Sequence, residues 1–181
     1  GFLGFWDTTT GEFISGIDGR ESFFSTNDLH WHPDGDHLAW GGLDGNVWIW
    51  DLDEDFVTLE GHRDSVYALD FSPDGVHLCP GGYDENMIIW DVEEEDPVSL
   101  LEGNYGGVTS ISWSPDGNVI ASGDTSGNII LWKAESGEIL RMFYSHNGWV
   151  VDLEWSPEGR MLASAGDDGI VRIWGKTEVQ E

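Results

Sequence analysis

Basic residues are scarce in this chain of 181 amino acids. Seven lysines and arginines stand against 35 aspartates and glutamates, which gives a formal net charge of −28 at pH 7. Residues 1–132 contain only Arg20 and Arg63 as basic side chains. Such a negative field repels nucleic acid and anionic membranes and attracts basic partners. A highly solvated surface, as in proteins from a salty cytoplasm, would account for the same acidity, and the sequence leaves both interpretations open.

Cysteine and long apolar segments are also nearly absent. Cys79 is the single cysteine, so no disulfide can form within the chain, and this favours a cytoplasmic location. No segment reaches the ~18 consecutive apolar residues of a membrane-spanning helix. The opening GFLGFW lacks the basic flank and the length of a secretion signal. We therefore expect no membrane association.

Motifs that bind cofactors or metal ions are missing too. There is no GxxxxGK[ST], no GxGxxG and no pair of cysteines. Asp51, Asp53 and Asp55 have the spacing of a calcium loop. However, Phe56 and His62 stand where that loop needs glycine and glutamate. We expect a solvated acidic loop there, with no cofactor and no metal.

Three histidines lie close together near the start of the chain. His30 and His32 alternate on a predicted strand and therefore share a face, with His37 nearby. Two histidines could hold a metal ion, but without a clear third ligand they are more typical of structural positions. The pattern therefore does not predict a metal site.

What the sequence does contain is a repeat. Four prolines occur in HPDG, SPDG, SPDG and SPEG, at spacings of 40, 42 and 42 residues: Pro33, Pro73, Pro115 and Pro157. Five tryptophans follow nearly the same period: Trp6, Trp50, Trp90, Trp132 and Trp174. Two independent markers with one period indicate a repeat architecture.

The sequence of each repeat unit predicts four short antiparallel strands. In residues 107–143, GVTSISW alternates apolar and polar positions as a half-buried strand does, and SPDG is a turn. NVIAS and the nearly continuous apolar NIILW follow as second and third strands, and GEILRMF as a more polar fourth. Four strands in about 42 residues describe one blade of a β-propeller.

These motifs make the chain resemble the WD40-repeat family. The resemblance rests on Gly61-His62, the Pro-Asp/Glu-Gly turns and several acidic and Trp-Asp positions: Asp44, Asp84, Asp168, Trp6-Asp7, Trp50-Asp51 and Trp90-Asp91. It implies an all-β propeller of seven or eight blades that acts as an interaction scaffold and not as an enzyme. The stretches DLHWHPDGDHLAWGGLDGNVWIW and GGYDENMIIWD are also similar to the angio-associated migratory cell protein type of WD40 protein.

The family pattern divides the chain into one partial and four further blades. The boundaries are 1–26 for the partial blade, then 27–64, 65–106, 107–148 and 149–181.

The resemblance also implies a hydrogen-bonded tetrad in each blade. Only the last blade matches at all four positions, with His146, Ser164, Asp168 and Trp174. A Ser-His-Asp set suggests a nucleophilic triad, but here it is expected to be a packing feature.

The other blades depart from this tetrad. The blade ending at Trp90 keeps His62 and Asp84 but has Pro80 at the serine position. The blade ending at Trp132 keeps Ser122 but has Asn104 for histidine and Ser126 for aspartate. The blade ending at Trp50 has Trp40 at the serine position and no matching histidine.

Loops on one face of the propeller are the expected binding site. Those before the first strand of each blade carry Arg63, Asp64, Ser65, Tyr105, Asn147 and Trp149. Those between the second and third strands carry Leu43, Tyr83, Thr125 and Asp167. Exposed aromatic side chains surrounded by acidic ones suit a basic protein or peptide with apolar anchors. Trp149 and Tyr105 would alternatively pack against neighbouring blades.

The sequence also allows self-assembly as the main property of the chain. It has four pairs of first and second strands but five third strands, beginning with the one in GFLGFWD. Two copies would then close an eight-bladed ring, a homodimer in which residues 11–17 of one copy add to residues 170–174 of the other. The position of residues 2–6 in such a ring stays open. A fragment of a longer propeller is the rival interpretation.

Overall fold

The computed structural model describes residues 2–18, 26–51 and 56–175, and every regular element among them is a β-strand. The all-β prediction is therefore confirmed. None of the described residues belongs to a helix that could cross a membrane.

The strands form one hairpin and four sheets, each with its strands in chain order. The hairpin contains β1 (Phe2–Trp6) and β2 (Phe13–Asp18). Sheet 1 contains β3 (Thr26–Trp31), β4 (Leu38–Gly42), β5 (Asn46–Trp50) and β6 (Phe56–Glu60). Sheet 2 contains β7 (Val66–Phe71), β8 (His77–Gly82), β9 (Asn86–Asp91) and β10 (Pro97–Glu102). Sheet 3 contains β11 (Val108–Trp113), β12 (Val119–Asp124), β13 (Asn128–Lys133) and β14 (Ile139–Tyr144). Sheet 4 contains β15 (Val150–Trp155), β16 (Met161–Gly166) and β17 (Val171–Gly175).

The turns between first and second strands are built by the repeated Ser-Pro-Asp-Gly motif. In sheet 2 the Ser72 hydroxyl donates to Asp74 Oδ1 at 2.6 Å and accepts the backbone N–H of His77 at 2.9 Å. Gly75 takes a positive φ of 77°, which glycine adopts at no steric cost. Sheet 3 repeats this geometry with Ser114 and Asp116. These turns fix the register between the two inner strands of a sheet.

Neighbouring sheets meet at a recurring contact between a glycine and a valine. A Cβ added at Gly41, Gly81 or Gly123 would come 2.5 Å from a valine Cγ1 in the next sheet. The three valines are the first residues of β7, β11 and β15: Val66, Val108 and Val150. The glycine thus allows the following sheet to approach closely. In sheet 4 the corresponding position, opposite Asp152, is Ala165.

The apolar core lies between the sheets, in clusters that join each sheet to the next. Trp132 of sheet 3 is only 1% exposed, whereas Val171 and Ile173 of sheet 4 are 68% and 64% exposed. The hairpin packs on sheet 1 through Phe5, whose ring lies 5.1 Å from that of Trp50. Among the described residues, sheets 1 to 3 are therefore covered on both faces, and sheet 4 is covered on one.

The hairpin strands pair with each other along their length. Phe2 lies opposite Asp18 and Trp6 opposite Phe13, with an irregularity between Phe5 and Trp6. Residues 2–6 therefore have a partner within the chain, which is the strand that follows them in sequence. Addition of residues 11–17 to residues 170–174 of a second copy stays a prediction.

Candidate protein-interaction face

Four side chains of sheet 4 form a continuous hydrogen-bond network. Ser164 Oγ lies 2.8 Å from His146 Nε2 and accepts the indole N–H of Trp174 at 3.0 Å. His146 Nδ1 lies 3.0 Å from Asp168 Oδ1. The hydrogen bond from His146 holds the pKa of Asp168 well below its usual range. Arg172, which is not part of the repeated tetrad, places Nη1 3.2 Å from Asp168 Oδ2.

This network connects strands to the loops of one face. Asp168 accepts the backbone N–H groups of Asn147 and Ile170, and so links the loop before β15 to the loop before β17. Ser164 is almost fully buried, and its oxygen already accepts the indole N–H of Trp174. The geometry therefore fixes the positions of loops and does not present the hydroxyl to a substrate.

Sheet 2 contains an interrupted version of the network. His62 Nδ1 lies 3.0 Å from Asp84 Oδ1, and Asp84 accepts the backbone N–H of Arg63 at 2.8 Å. Pro80 offers no hydroxyl. Within the described residues, the buried His62 Nε2 and Trp90 Nε1 consequently have no hydrogen-bond partner.

Sheet 3 keeps the network with different residues. Ser122 Oγ accepts the indole N–H of Trp132 at 2.8 Å and donates to Asn104 Oδ1 at 2.9 Å. The buried Asp124 accepts the backbone N–H of Tyr105 at 3.0 Å, as Asp84 and Asp168 do in their sheets. Comparison of the repeats with one another indicated Ser126, two residues further on, and missed this aspartate.

Sheet 1 and the acidic segment after it are described only in part. The histidine position of the sheet 1 tetrad falls within residues 19–25, which contain no histidine and lie outside the described residues. Asp53 and Asp55 of the calcium-like spacing lie outside them as well.

The predicted binding loops meet in pairs on one face. The backbone N–H of Tyr83 donates to Ser65 O, that of Thr125 to Gly107 O and that of Asp167 to Trp149 O, at 2.8–3.0 Å. Each pair joins the loop before the first strand to the loop between the second and third strands of one sheet. We call this end of the molecule the loop face.

An aromatic strip crosses the loop face. The Tyr83 ring lies 5.4 Å from that of Tyr67 and 6.4 Å from that of Trp149, so the strip extends from sheet 2 to sheet 4. It passes over Gly107, where a Cβ would come 2.5 Å from the Tyr83 ring. Tyr83 and Trp149 remain 40% and 41% exposed. The sequence identified both residues but not Tyr67, which lies on the other side of Tyr83 from Trp149.

Other predicted loop residues lie outside this strip. Among the described residues, the Tyr105 side chain makes no ring contact, and it is 62% exposed. Leu43 is exposed, and its carbonyl accepts the Ser65 hydroxyl at 3.2 Å. Asp64 and Arg63 are exposed beside it.

One further acidic residue of the loop face has an unusual backbone. Glu85 has φ 69°, at the position where the other three sheets have Gly45, Gly127 and Gly169. A left-handed conformation at a residue with a Cβ costs on the order of 1 kcal/mol. Such strain is often found at functional positions. The sequence shows this only as the absence of a glycine in one repeat.

Acidic side chains also line the cleft between the first strands of the sheets. This cleft of about 450 Å³ contains Asp28, His30, Asp70, Asp152 and Glu154. Asp28 accepts the backbone N–H of Leu69, and Asp70 that of Trp113, so each joins two sheets. Burial raises the pKa of Asp28 and of Glu154, and the hydrogen bond to Asp70 raises the pKa of His30.

The three neighbouring histidines separate into two places. His30 lies in this cleft, 3.4 Å from Asp70 Oδ1. His32 and His37 lie in the turn between β3 and β4, each within 3 Å of a carboxylate oxygen of Asp34. The expectation that His30 and His32 share a face of one strand was therefore wrong, because the strand ends at Trp31.

Comparison with known families agrees with the fold. The family model for the WD domain, G-beta repeat, matches residues 11–51, 54–91, 95–133 and 137–175. Each matched segment comprises the outer strand of one sheet, or of the hairpin, and the first three strands of the next sheet. No curated protein matches the chain. Since the four segments cover most of its length, the chain belongs to the WD40-repeat family.

Proposed function

We propose that the protein is a non-enzymatic scaffold that binds a basic protein or peptide on its loop face. Propellers of this family generally mediate protein–protein interactions. The observation that carries the proposal is the half-exposed aromatic strip of Tyr67, Tyr83 and Trp149, with Asp64, Glu85 and Asp167 exposed in the loops of the same face.

The chemistry of the strip suits an apolar anchor beside positive charges. Tyrosine and tryptophan provide large contact areas at low entropic cost and dominate binding energy in many interfaces. Carboxylates around them attract lysine and arginine side chains and speed up encounter with a basic partner. The strained Glu85 supports this assignment, because it adds a charge where a glycine would relieve the backbone.

The finer resemblance to the angio-associated migratory cell protein type rests on sequence motifs alone. An acidic relative of that group is a chaperone for a basic ribosomal protein, which is the same class of partner as proposed here. We also propose a cytoplasmic location, which rests on the single, buried Cys79.

A peptide-binding experiment tests the main proposal. Fluorescent peptides of alternating lysine and leucine, and their glutamate counterparts, are titrated with the full chain by fluorescence anisotropy. We expect salt-sensitive binding of the lysine peptide only. The double change Tyr83→Ala and Trp149→Ala should weaken it at least about tenfold, and Glu85→Gly should weaken it less.

The control for this experiment is Tyr144→Ala. Tyr144 is 83% exposed, but it lies on the outer strand β14 and takes no part in the aromatic strip. Its loss should leave peptide affinity unchanged. Equal affinity of all variants, or equal binding of the glutamate peptide, would contradict the proposal.

We propose self-association as the second candidate function, with a second copy of the chain covering sheet 4. Sheet 4 has three strands among the described residues, so one edge of β17 is unpaired there. Its exposed apolar side chains include Val171, Ile173 and Met161. An open edge beside an apolar surface favours strand addition.

Light scattering at several protein concentrations tests this candidate. We expect a mass near twice 20.1 kDa for the unchanged chain and a monomer for Ile173→Lys, which places a charge on that surface. Leu140→Lys on β14 is the matched control, because Leu140 is also an exposed apolar strand residue. A monomeric mass at every concentration would contradict self-association into an eight-bladed ring.

A further inference from the structure

We infer that the turn between β3 and β4 is a binding site for a zinc-class metal ion, with His32, Asp34 and His37 as ligands. We call residues 32–37, with the sequence HPDGDH, the histidine turn. It lies at the end of sheet 1 opposite to the loop face, and the site is separate from the proposed peptide-binding surface.

The histidine turn has the same backbone as the corresponding turns of sheets 2 and 3. The N–H of Gly35 donates to His32 O at 2.9 Å, as that of Gly75 does to Ser72 O. The N–H of His32 donates to His37 O at 2.9 Å, as in the other turns. The difference is chemical, because an imidazole replaces the serine hydroxyl that elsewhere donates to the turn aspartate.

The three side chains bring their donor atoms together. His32 Nδ1 lies 2.9 Å from Asp34 Oδ1, and His37 Nδ1 lies 2.8 Å from Asp34 Oδ2. One ligand atom from each residue lies within 4.8 Å of the other two. A metal ion between them requires only small shifts of side chains on an exposed turn.

The orientation of His32 is fixed by the next sheet. Its Nε2 lies 2.9 Å from the carbonyl oxygen of Gly75, which can only accept, so Nε2 carries the proton. Nδ1 is then the atom with a lone pair, and it accepts only a long hydrogen bond of 3.2 Å from the Asp34 N–H. Metal-binding histidines usually donate their second N–H to a carbonyl or carboxylate in this way.

The local charge favours a cation at this point. The lone pair of a neutral His32 would face the Asp34 carboxylate at 2.9 Å, which is repulsive without a positive charge between them. A cleft of about 540 Å³ beside the turn is lined by five further carboxylates: Asp51, Asp74, Asp91, Glu93 and Glu94. These carboxylates raise the local concentration of cations.

The ligand set selects the class of metal. Two imidazoles and one carboxylate suit zinc and related transition metals, which leave a fourth position for water. Calcium and magnesium prefer oxygen ligands throughout and fit poorly. Within the described residues, no other group of His, Cys, Asp and Glu side chains has this geometry.

Calorimetric titration of the metal-free full chain with zinc at about pH 7.5 tests the inference. We expect one zinc ion per chain and at least about tenfold weaker binding by His37→Gln and by His32→Ser. His32→Ser restores the serine found in the other turns, so the fold should be kept. Cobalt(II) should give the absorption bands of tetrahedral coordination.

The matched control is His77→Gln. His77 occupies the position of His37 in sheet 2, but there Ser72 stands in place of His32. Its loss should not change zinc affinity. Absence of zinc binding, or binding that survives in both His32→Ser and His37→Gln, would overturn the assignment, and calcium that competes equally with zinc would overturn the metal class.

Discussion

Sheets 3 and 4 have similar sequences but differ in what covers them. Sheet 4 has the complete network of His146, Ser164, Asp168 and Trp174, while sheet 3 has an asparagine in place of the histidine. Nevertheless, Trp132 of sheet 3 is fully buried and Trp174 is only half-buried. Burial therefore depends on the neighbouring sheets and not on the completeness of the network.

The largest expected effect comes from removing the tryptophan of each sheet. Trp132→Ala should lower the free energy of unfolding by about 3–5 kcal/mol, because it creates a cavity in a core closed on both sides. Trp174→Ala should cost about 2 kcal/mol, since solvent already reaches that side chain. Urea unfolding measures both values.

Tyr105→Ala is the surface control for these changes and should stay within about 0.5 kcal/mol of the unchanged protein. Equal losses for Trp132→Ala and Trp174→Ala would mean that sheet 4 is covered in solution, as self-association requires. A large loss for Tyr105→Ala would place that side chain in a packed contact.

A smaller effect is expected from completing the network of sheet 2. Pro80→Ser supplies a hydroxyl to the buried His62 Nε2 and Trp90 Nε1, and should stabilise the protein by about 1 kcal/mol. Pro80→Ala, which restores the backbone N–H alone, separates the two contributions. No gain of Pro80→Ser over Pro80→Ala in urea unfolding would show that the network adds little even in a closed core.

The smallest effect concerns the acid sensitivity of sheet 4. The pKa of Asp168 is lowered from 3.8, mainly by the hydrogen bond from His146. Its contribution to stability is therefore fully present above about pH 4 and is lost as the pH falls through the lowered value. Hydrogen exchange should show that β15–β17 lose protection on acidification before sheet 3 does.

Asp168→Asn should make this loss of protection less dependent on pH, because the titrating group is gone. The variant should also be less protected than the unchanged chain at neutral pH. An unchanged pH profile would assign the acid sensitivity of sheet 4 to other carboxylates.

The sequence predicts the strands and turns well because both are encoded locally. Proline, aspartate and glycine define each turn, and the alternation of apolar residues defines each strand, so the repeat reveals the sheets. The positions of the loops between these strands follow from the same pattern. Tyr67 was missed because it lies on strand β7, whereas the predicted binding residues were taken from loops alone; its ring contacts that of Tyr83 in the loop after β8.

Other features depend on geometry that the repeat does not contain. Asp124 replaces the tetrad aspartate from a different position, which only the path of the backbone reveals. Trp174 is partly exposed because no described sheet covers the outer face of sheet 4, and not because its own motif is incomplete. The role of Asp34 depends on two rings that face one carboxylate, although the spacing of the three residues is visible in the sequence.

The glycine–valine contact also bears on how such an array can lengthen by gene duplication. A copied repeat inserted between sheets 1 and 3 would bring its own glycine and its own valine, and both new contacts would fit. After sheet 4, the methyl group of Ala165 would occupy the space that the valine of an added repeat needs. Extension by a plain copy is therefore sterically open inside the array, while a sheet added to sheet 4 would have to accommodate the Ala165 methyl group where the other sheets have a glycine.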